Sequence, residues 1–222
     1  MSNLFTSWNL KGLEIKNRIC VPPMVCFGWT GDDGMVTENS VNHYRNIAKG
    51  GAGLVIQEAT CINRQGRLSG DQIGIWDDSQ IPGLKKIVDA VLAEGAPIFV
   101  QIHHAGVISS EEDRVCPSDY TVEHKGIMKH GRELTIEEIH VLEEEYIQAV
   151  RRAYEAGYDG VELHGCHSYL LSQFMNRRVN KRTDEYNADD MLILKNILEG
   201  IRKEVQRDVQ VAARIALIFS AQ

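Results

Sequence analysis

The stretch TIEEIHVLEEEYIQAVRRAYEAGYDGVELH, residues 135–164, decides the fold because it joins a complete helix to a strand. Thr135 and Glu138 form a capping box, which predicts the start of the helix. Apolar residues then recur at helical spacing as far as Ala153, and Gly157 is the residue type that most often ends a helix. The short apolar run after Gly157 predicts a strand. A helix that leads directly into a strand is the repeating unit of α/β proteins.

Strand and helix alternate along the rest of the chain as well. Short apolar runs predict five strands, at residues 18–24, 52–57, 97–102, 158–164 and 209–215. Periodic apolar patterns predict three further helices, at residues 39–49, 81–94 and 188–205. This alternation implies parallel strands joined by right-handed crossovers, either in an open doubly wound sheet or in a (β/α)₈ barrel.

The turn after the first predicted strand favours the barrel. It reads PPMV, residues 22–25, where a dinucleotide-binding sheet would have G-x-G-x-x-G. In a barrel, active sites are built at the carboxyl ends of the strands. Polar residues stand in or at the ends of the later strands, namely Gln57, Glu58, Gln101, His103, Glu162, His164 and Arg214. Alternation along the fourth strand directs Glu162 and His164 to the same side.

The predicted fold class is therefore α/β, a (β/α)₈ TIM barrel of which the chain covers about the first five βα units. We expect a single domain over residues 1–222. We also expect this domain to be incomplete at the C-terminus, because a full barrel of this kind takes roughly 250 residues or more. The stretch at residues 103–133 has mixed charges, glycine and proline, and predicts an extended irregular loop after the third strand.

The composition is that of an ordinary globular protein, with 43% apolar and 25% charged residues. A formal charge of −7 gives no electrostatic reason to expect nucleic acid or an anionic membrane as a partner. No apolar run reaches the length of a membrane span, and the first residues lack the regions of a signal peptide, so we expect a cytoplasmic protein. The five cysteines include no C-x-x-C and predict reduced thiols without a zinc or iron–sulfur cage.

Six segments together resemble the Old Yellow Enzyme family of flavin-dependent NAD(P)H oxidoreductases. The resemblance runs from Leu4 to about Ile215 and is specific because the segments occur in the right order and at the right spacing. They are NRI with PPM (residues 17–19 and 22–24), GGAGLVIQEAT (50–60), DQIGIWDD (71–78), VQIHHAG (100–106), YDGVELHGCHSYLLSQF (158–174) and NKRTDEY (180–186). By this resemblance the chain is a C-terminally truncated member of the family.

The resemblance implies a TIM barrel that binds FMN at the strand ends. A member of this family passes a hydride from NADH or NADPH to the flavin, and from the flavin to an alkene conjugated to a carbonyl, nitro or similar group. The positions that match the flavin-lining residues are Pro22, Pro23, Met24, Val25, Ala59, Gln101 and Arg214. His164 and His167 match the pair that clamps the substrate, Tyr169 matches the proton donor, and Phe27 stands at a substrate-contacting position.

The chemistry of such a reaction agrees with these residue types. Hydride addition next to a carbonyl builds negative charge on its oxygen, so two N–H donors at that oxygen stabilise the transition state more than the ground state. Two neutral imidazoles can supply these donors. Gln101 can both donate to and accept from the pyrimidine edge of the flavin, and Arg214 can place positive charge near the N1–C2=O locus of the ring.

Several other interpretations of the same residues stay open. His164 and His167 could ligate zinc in a metal hydrolase with Glu162 as third ligand, although we expect no metal. Gln101 could be a polar residue satisfied by a loop, and Arg214 could neutralise Glu162. Two further residues have structural alternatives: Tyr169 could pack against its own helix, and His104 is expected to order the loop after the third strand and not to take part in catalysis.

One departure from the family bears on flavin chemistry. Some members have a cysteine or threonine that tunes the flavin potential where this chain has Val25, and Cys26 comes one place later. The alternative function is a catalytically silent half-barrel, a fragment or assembly partner without stable flavin binding. The sequence does not choose between NADH and NADPH, name the alkene or decide whether the chain forms a homo-oligomer.

Overall fold

The computed structural model describes residues 3–205 and, as backbone alone, residues 210–214. In chain order its strands and helices are β1 (Trp8–Leu10), β2 (Leu13–Ile15), β3 (Cys20–Val21), α1 (Glu38–Lys49), β4 (Leu54–Cys61), α2 (Ile81–Leu92), β5 (Ile98–His103), β6 (Val115–Cys116), β7 (Tyr120–His124), β8 (Ile127–Glu133), α3 (Ile136–Ala156), β9 (Gly160–His164), α4 (Leu170–Met175), α5 (Leu192–Glu204) and β10 (Gln210–Arg214). Short 3₁₀ turns lie at Asn3–Phe5, Asp78–Gln80 and Gly106–Ile108.

The main sheet is parallel and has the order β3-β4-β5-β9-β10. These are the five predicted strands, and each lies beside the strand that precedes it among the five. A doubly wound sheet reverses its order at a switch point, and the described strands show no such reversal. The order is that of successive strands of a TIM barrel, which confirms the predicted fold class. The predicted helices are confirmed as α1, α2, α3 and α5, with ends that differ by a few residues.

The core lies between the outer face of this sheet and the helices. Val55 of β4, Val100 of β5 and Val161 of β9 point towards the helices and belong to one large buried cluster. The boundaries of α3 are those that the sequence predicts. Thr135 Oγ1 accepts a hydrogen bond from the Glu138 N–H, the Glu138 carboxylate accepts one from the Thr135 N–H, and the helix ends at Gly157.

A short N-terminal hairpin, which the sequence analysis does not predict, covers part of the opposite face of the sheet. Strands β1 and β2 pair in antiparallel fashion, and Ile15 packs with Leu54, Ile56 and Phe99. These residues alternate with the helix-facing ones, so they lie on the inner face near the amino ends of β4 and β5. Apolar packing therefore occupies that end of the inner face, and the polar side chains Gln101 and His103 of β5 come later along the strand.

The prediction of an irregular loop at residues 103–133 is wrong. This segment forms a three-stranded sheet in which β7 and β8 make an antiparallel hairpin and β6 pairs with β8. The hairpin strands are mostly polar and partly exposed, so they lack the apolar pattern that predicts a strand. Lys129 fastens the hairpin to the chain after β5 through hydrogen bonds to the carbonyls of Ile108 and Ser109. In the described part of the chain, no helix is both long and apolar enough to cross a membrane.

Candidate active site

The carboxyl ends of β3, β4, β5 and β9 surround a cavity of about 290 Å³. Its lining combines apolar, small and polar side chains, namely Pro22, Pro23, Val25, Ala59, Leu68, Gln101, His164, Cys166, His167 and Tyr169. The structure thus brings together most of the residues that the sequence nominates for a site. A pocket at this end of parallel strands is where barrel enzymes bind their ligands.

Three residues that the sequence predicts for the site are not part of this lining. Met24 and Phe27 have exposed side chains, at 59% and 49% of their full accessibility. The backbone of Arg214 is paired with His164 in the register of β9 and β10, but its side chain lies outside the described residues. The flavin-binding roles of Met24 and Arg214, the substrate-contacting role of Phe27 and the pairing of Arg214 with Glu162 therefore stay predictions.

The loop after β3 is held to β4 by a buried carboxyl group. The Cys26 N–H donates to Glu58 Oε2 at 2.9 Å, and the Tyr44 hydroxyl donates to Glu58 Oε1 at 3.0 Å. Burial raises the pKa of Glu58 to about 7. This anchor places Pro22, Pro23 and Val25 at the cavity.

A bulge in β4 explains why Glu58 can serve as this anchor. The register of β4 against β5 shifts between Gln57 and Ala59, so Glu58 has no partner residue and turns away from the cavity. Ala59 then lies beside Gln101 and lines the cavity. Gln57 bonds to Thr60 and Tyr158 instead. The expectation that Gln57 and Glu58 belong to the polar rim is therefore wrong. Gln57 is the register partner of the helix-facing Val100, and the bulge turns Glu58 away from the cavity as well.

Strands β5 and β9 bring two pairs of polar side chains together. Gln101 and Glu162 are partners in the sheet register, and Gln101 Nε2 donates to Glu162 Oε1 at 2.7 Å. One step further along, His103 Nδ1 lies 3.0 Å from His164 Nδ1. His103 is fully buried, and this burial holds its pKa well below the ordinary value. A neutral His103 therefore fixes the ring of His164 from behind the cavity.

The two histidines of the predicted clamp are bonded to each other. His164 Nε2 lies 3.0 Å from His167 Nδ1, and the two rings are nearly perpendicular at 85°. One nitrogen donates and the other accepts, so only one of the two facing nitrogens carries a proton in this arrangement. His103, His164 and His167 thus form a row of three hydrogen-bonded imidazoles. Sequence reasoning noticed His103 only as a polar strand end, although its spacing from Gln101 places it on the inner face.

The turn that carries the second clamp histidine has an uncommon backbone. His167 and Ser168 have φ values of 56° and 59°, in the left-handed region that costs a non-glycine residue roughly 1–2 kcal/mol. Gln173 holds this turn by donating to the carbonyls of Ser168 and Ala105. Strain of this kind is often found at functional sites, where surrounding contacts maintain it.

His104 has the structural role that the sequence predicts. Its Nδ1 accepts a hydrogen bond from the Gly106 N–H, and its carbonyl accepts one from the Leu170 N–H. Burial lowers the pKa of His104 to about 3, so the ring is neutral. It orders the loop after β5 and does not line the cavity.

Tyr169 lies at the start of α4 with its ring against the histidines. The ring centroid is 4.6 Å from that of His103 and 4.9 Å from that of His164. Burial raises the pKa of Tyr169 above its ordinary value, which keeps the phenol protonated near neutral pH. The residue therefore lines the cavity and contacts the histidines, so it does more than pack against its own helix. Its role as proton donor stays a prediction.

One group of side chains in the described residues has the spacing of metal ligands. The ligand atoms of His164, Cys166 and His167 all lie within 4.8 Å of one another. The zinc alternative of the sequence analysis named Glu162 as the third ligand, but Glu162 is bonded to Gln101 and the thiol of Cys166 is the nearer donor. Sequence reasoning overlooked this cysteine, although it stands between the two histidines.

The chain matches known proteins over nearly its whole length. The model of the NADH:flavin oxidoreductase / NADH oxidase family matches residues 3–220. An NADPH dehydrogenase of Bacillus velezensis is 41% identical over 186 residues, which are 83% of this chain and 54% of that protein. The chain therefore spans about half the length of this curated relative.

Two solved structures have the same fold over 96% of this chain, each at 30% identity. A complex of 2-naphthoyl-CoA reductase with 2-naphthoyl-CoA superposes with a TM-score of 0.89, and the match covers 35% of that chain. An Old Yellow Enzyme homologue from Zymomonas mobilis superposes with a TM-score of 0.85, and the match covers 63% of that chain.

Proposed function

Because the chain belongs to the NADH:flavin oxidoreductase / NADH oxidase family, we propose that it acts as an FMN-dependent NAD(P)H oxidoreductase. Its proposed reaction is the reduction of a C=C bond conjugated to a carbonyl or related electron-withdrawing group. The observation that carries this proposal is the convergence of His164, His167 and Tyr169 on one cavity at the strand ends. The fold alone would not support it, because TIM barrels host many reactions.

The lining of the cavity fits the flavin ring. Pro22, Pro23 and Val25 offer an apolar wall, and Ala59 leaves space because its side chain is a single methyl group. Gln101 adds an amide at the side where its strand meets β9. A flat and largely apolar tricycle with one polar edge matches this combination. When bound, FMN supplies the hydride that the nicotinamide donor has delivered to it.

The histidine pair provides the electrostatic part of the proposed reaction. A substrate carbonyl oxygen enters between His164 Nε2 and His167 Nδ1 and replaces their mutual hydrogen bond. The ring that accepted this bond changes tautomer: it releases a proton to solvent from its far nitrogen and takes one up on the nitrogen that faces the cavity. The oxygen then accepts an N–H from each ring. Negative charge grows on this oxygen as the alkene is reduced, so the two donors bind the transition state more tightly than the substrate. The bond of His164 to His103 holds the first ring in place while this exchange occurs.

Tyr169 completes the proposed reaction by donating a proton to the α-carbon. Its phenol stays protonated because burial raises its pKa. Tyr169 belongs to the same cavity lining as the histidines, which supports a proton donor beside the substrate that they are proposed to hold. The name of the Bacillus velezensis relative, NADPH dehydrogenase, supports a nicotinamide as the source of the hydride.

The experiment is a titration of the 222-residue chain with FMN, followed by anaerobic NADPH and then cyclohex-2-enone. We expect micromolar FMN retention, bleaching of the yellow colour by NADPH and its return when the enone is added. Failure to retain FMN would favour the alternative of a catalytically silent half-barrel. Retention without recovery of the colour under enone would refute the substrate class but not the flavin.

A double variant tests whether the two histidines at the cavity bind the substrate oxygen. Replacing His164→Ala together with His167→Ala should leave FMN bound and weaken the binding of a phenol, whose oxygen imitates the charged oxygen of the reduced substrate. Equal phenol binding in the variant and the parent chain would contradict the clamp.

A further inference from the structure

We propose that His164, Cys166 and His167 form a binding site for Zn²⁺ at the mouth of the cavity. The three side chains come from the end of β9 and the turn that follows it, so a stretch of four residues supplies all of them. Their ligand atoms lie within 4.8 Å of one another. Neither the site nor its test requires bound FMN, and in this respect the inference is independent of the proposed function.

The donor set is one that zinc prefers. Two imidazole nitrogens and a thiolate sulfur are usual zinc ligands, at about 2.0–2.1 Å for Zn–N and about 2.3 Å for Zn–S. Tetrahedral geometry then sets the ligand atoms roughly 3.4–3.6 Å apart. In the structure His164 Nε2 is 3.0 Å from His167 Nδ1, and Cys166 Sγ is 3.4 Å from His167 Nδ1. Shifts of a few tenths of an ångström bring these two pairs to ligating distance. The ligand atoms of His164 and Cys166 lie within 4.8 Å of each other, so this pair closes by up to about 1.3 Å when the ion binds.

The neighbouring His103 supplies the support that zinc-binding histidines usually have. Such a histidine donates its second ring N–H to an acceptor, which fixes the tautomer and the orientation of the ring. His164 has this arrangement, because its Nδ1 lies 3.0 Å from His103 Nδ1 while its Nε2 faces His167. In the zinc-bound form His164 carries its proton on Nδ1, His167 carries its proton on Nε2, and the Cys166 thiol has released one proton to solvent.

The position of the site leaves one coordination position open. Three protein ligands on a tetrahedral ion leave a fourth position for water or a small molecule. This position faces the cavity, since all three residues belong to its lining. His167 is exposed, so the ion can enter from solvent.

A consequence of the site rests on the proposed function. Zinc occupies the two nitrogens that would offer N–H groups to a substrate oxygen, so a bound ion and a bound carbonyl exclude each other. Zinc should therefore act as an inhibitor that competes with the phenol or alkene.

The test uses the reduced, metal-free 222-residue chain without FMN, and Co²⁺ as a spectroscopic substitute for Zn²⁺. We expect one Co²⁺ per chain, a near-ultraviolet band from thiolate-to-cobalt charge transfer, and visible bands of tetrahedral intensity. Added Zn²⁺ should abolish these bands with the same stoichiometry. Absence of both bands and of micromolar Zn²⁺ binding would overturn the proposal.

Matched cysteine variants locate the metal. Cys166→Ser should abolish the charge-transfer band and weaken Zn²⁺ binding by more than about 100-fold, because loss of an outer-shell partner alone costs 10–100-fold. Cys26→Ser is the control, since the Cys26 thiol lies 3.6 Å from a single imidazole, that of His43. A band that survives in Cys166→Ser, or disappears in Cys26→Ser, would place the metal elsewhere and refute the site.

A further variant separates ligation from general damage to the fold. His103→Leu leaves all three ligands in place and should weaken Zn²⁺ binding by about 10–100-fold while the charge-transfer band is retained at saturation. Circular dichroism confirms that each variant is folded. A chain that binds Zn²⁺ but never FMN would refute the proposed function and leave the zinc site intact. A chain that binds FMN but not Zn²⁺ would refute the zinc site and leave the proposed function intact.

Discussion

His103 Nδ1 lies 3.0 Å from His164 Nδ1, so a residue outside the cavity lining is bonded to the ring that is expected to contact the substrate. The bond crosses from β5 to β9 and is fully buried on the His103 side. Because a ring that rotates cannot keep its N–H directed at one oxygen, we predict that His103 acts as a positioning residue for the proposed clamp.

Replacing His103→Leu should weaken phenol binding to the FMN-bound chain by roughly tenfold, the value of one hydrogen bond of about 1.4 kcal/mol. FMN affinity should not change, since His103 does not line the cavity. His103→Asn places an amide near the position of Nδ1 and should restore most of the phenol affinity. Equal phenol binding in His103→Leu and the parent chain, measured by titration, would show that His164 needs no such support.

The barrel strands could be predicted from the sequence because buried parallel strands are continuous apolar runs, and their ends follow from turn and cap residues such as Thr135 and Gly157. The hairpin of β7 and β8 could not, because its strands lie at the surface and carry few apolar residues. The N-terminal hairpin was missed because strands of three residues are too short to show a period.

The sequence predicts those residues of the candidate site that lie in a recognisable motif. The clamp histidines and Tyr169 come from one such motif, and the structure brings them to one cavity. The contact of His103 with His164 depends on the register of β5 against β9, which no local pattern states. The approach of Cys166 to His167 depends on a left-handed turn at residues that rarely adopt one.

Replacing Tyr169→Phe should slow the oxidation of reduced flavin by enone by about 100-fold or more, the usual contribution of a general acid. Reduction of the flavin by NADPH should stay within about twofold of the parent rate, because no proton from Tyr169 enters that step. Stopped-flow absorbance of the flavin measures both rates separately. Tyr154→Phe, on the exposed side of α3, is the control. An equal loss in both half-reactions would argue against Tyr169 as the proton donor.

Replacing Glu58→Gln should flatten the dependence of stability on pH. Burial raises the pKa of Glu58 from 4.5 to about 7, so between these values the folded chain keeps a proton that the unfolded chain has lost. This group therefore lowers the free energy of unfolding as pH rises through the window, by roughly 3 kcal/mol in total, and adds no slope above pH 7.

The measurement is urea unfolding of the Glu58→Gln variant and the parent chain at half-unit intervals between pH 4.5 and 8. Other groups titrate in both proteins, so the difference between the two curves isolates Glu58. That difference should favour the variant increasingly up to about pH 7 and then stay constant. Parallel curves would mean that Glu58 ionises normally in the folded chain.

Replacing Gly106→Ala should destabilise the fold by about 2–4 kcal/mol. Gly106 has φ +61°, and a Cβ there would collide with the Gln173 side chain, so the cost combines about 1 kcal/mol of left-handed strain with about 1–3 kcal/mol of overpacking. Gly95→Ala is the matched control, because Gly95 has φ +70° and open space around the added Cβ. Gly95→Ala should therefore lower the free energy of unfolding only by the left-handed strain, about 1 kcal/mol. Equal losses in urea unfolding would mean that Gln173 moves aside without penalty.

Replacing Arg182→Ala should destabilise the fold by about 3 kcal/mol, because it removes a buried guanidinium that makes several hydrogen bonds, and a bond to a charged group contributes about 1.5–3 kcal/mol. The Arg182 side chain is only 4% exposed, pairs with Asp184, and donates to the carbonyls of Pro117 and Leu134. The variant leaves these acceptors without the donor that joins the chain after α4 to the segment around β6–β8.

The matched control is Arg177→Ala. Arg177 also pairs with an aspartate, Asp189, but the two side chains are 80% and 60% exposed, and exposed pairs contribute at most about 1 kcal/mol. Urea unfolding at neutral pH should therefore separate the two variants by about 2 kcal/mol or more. The result that contradicts this prediction is an equal midpoint for both, because the carbonyl bonds of Arg182 would then contribute nothing to stability.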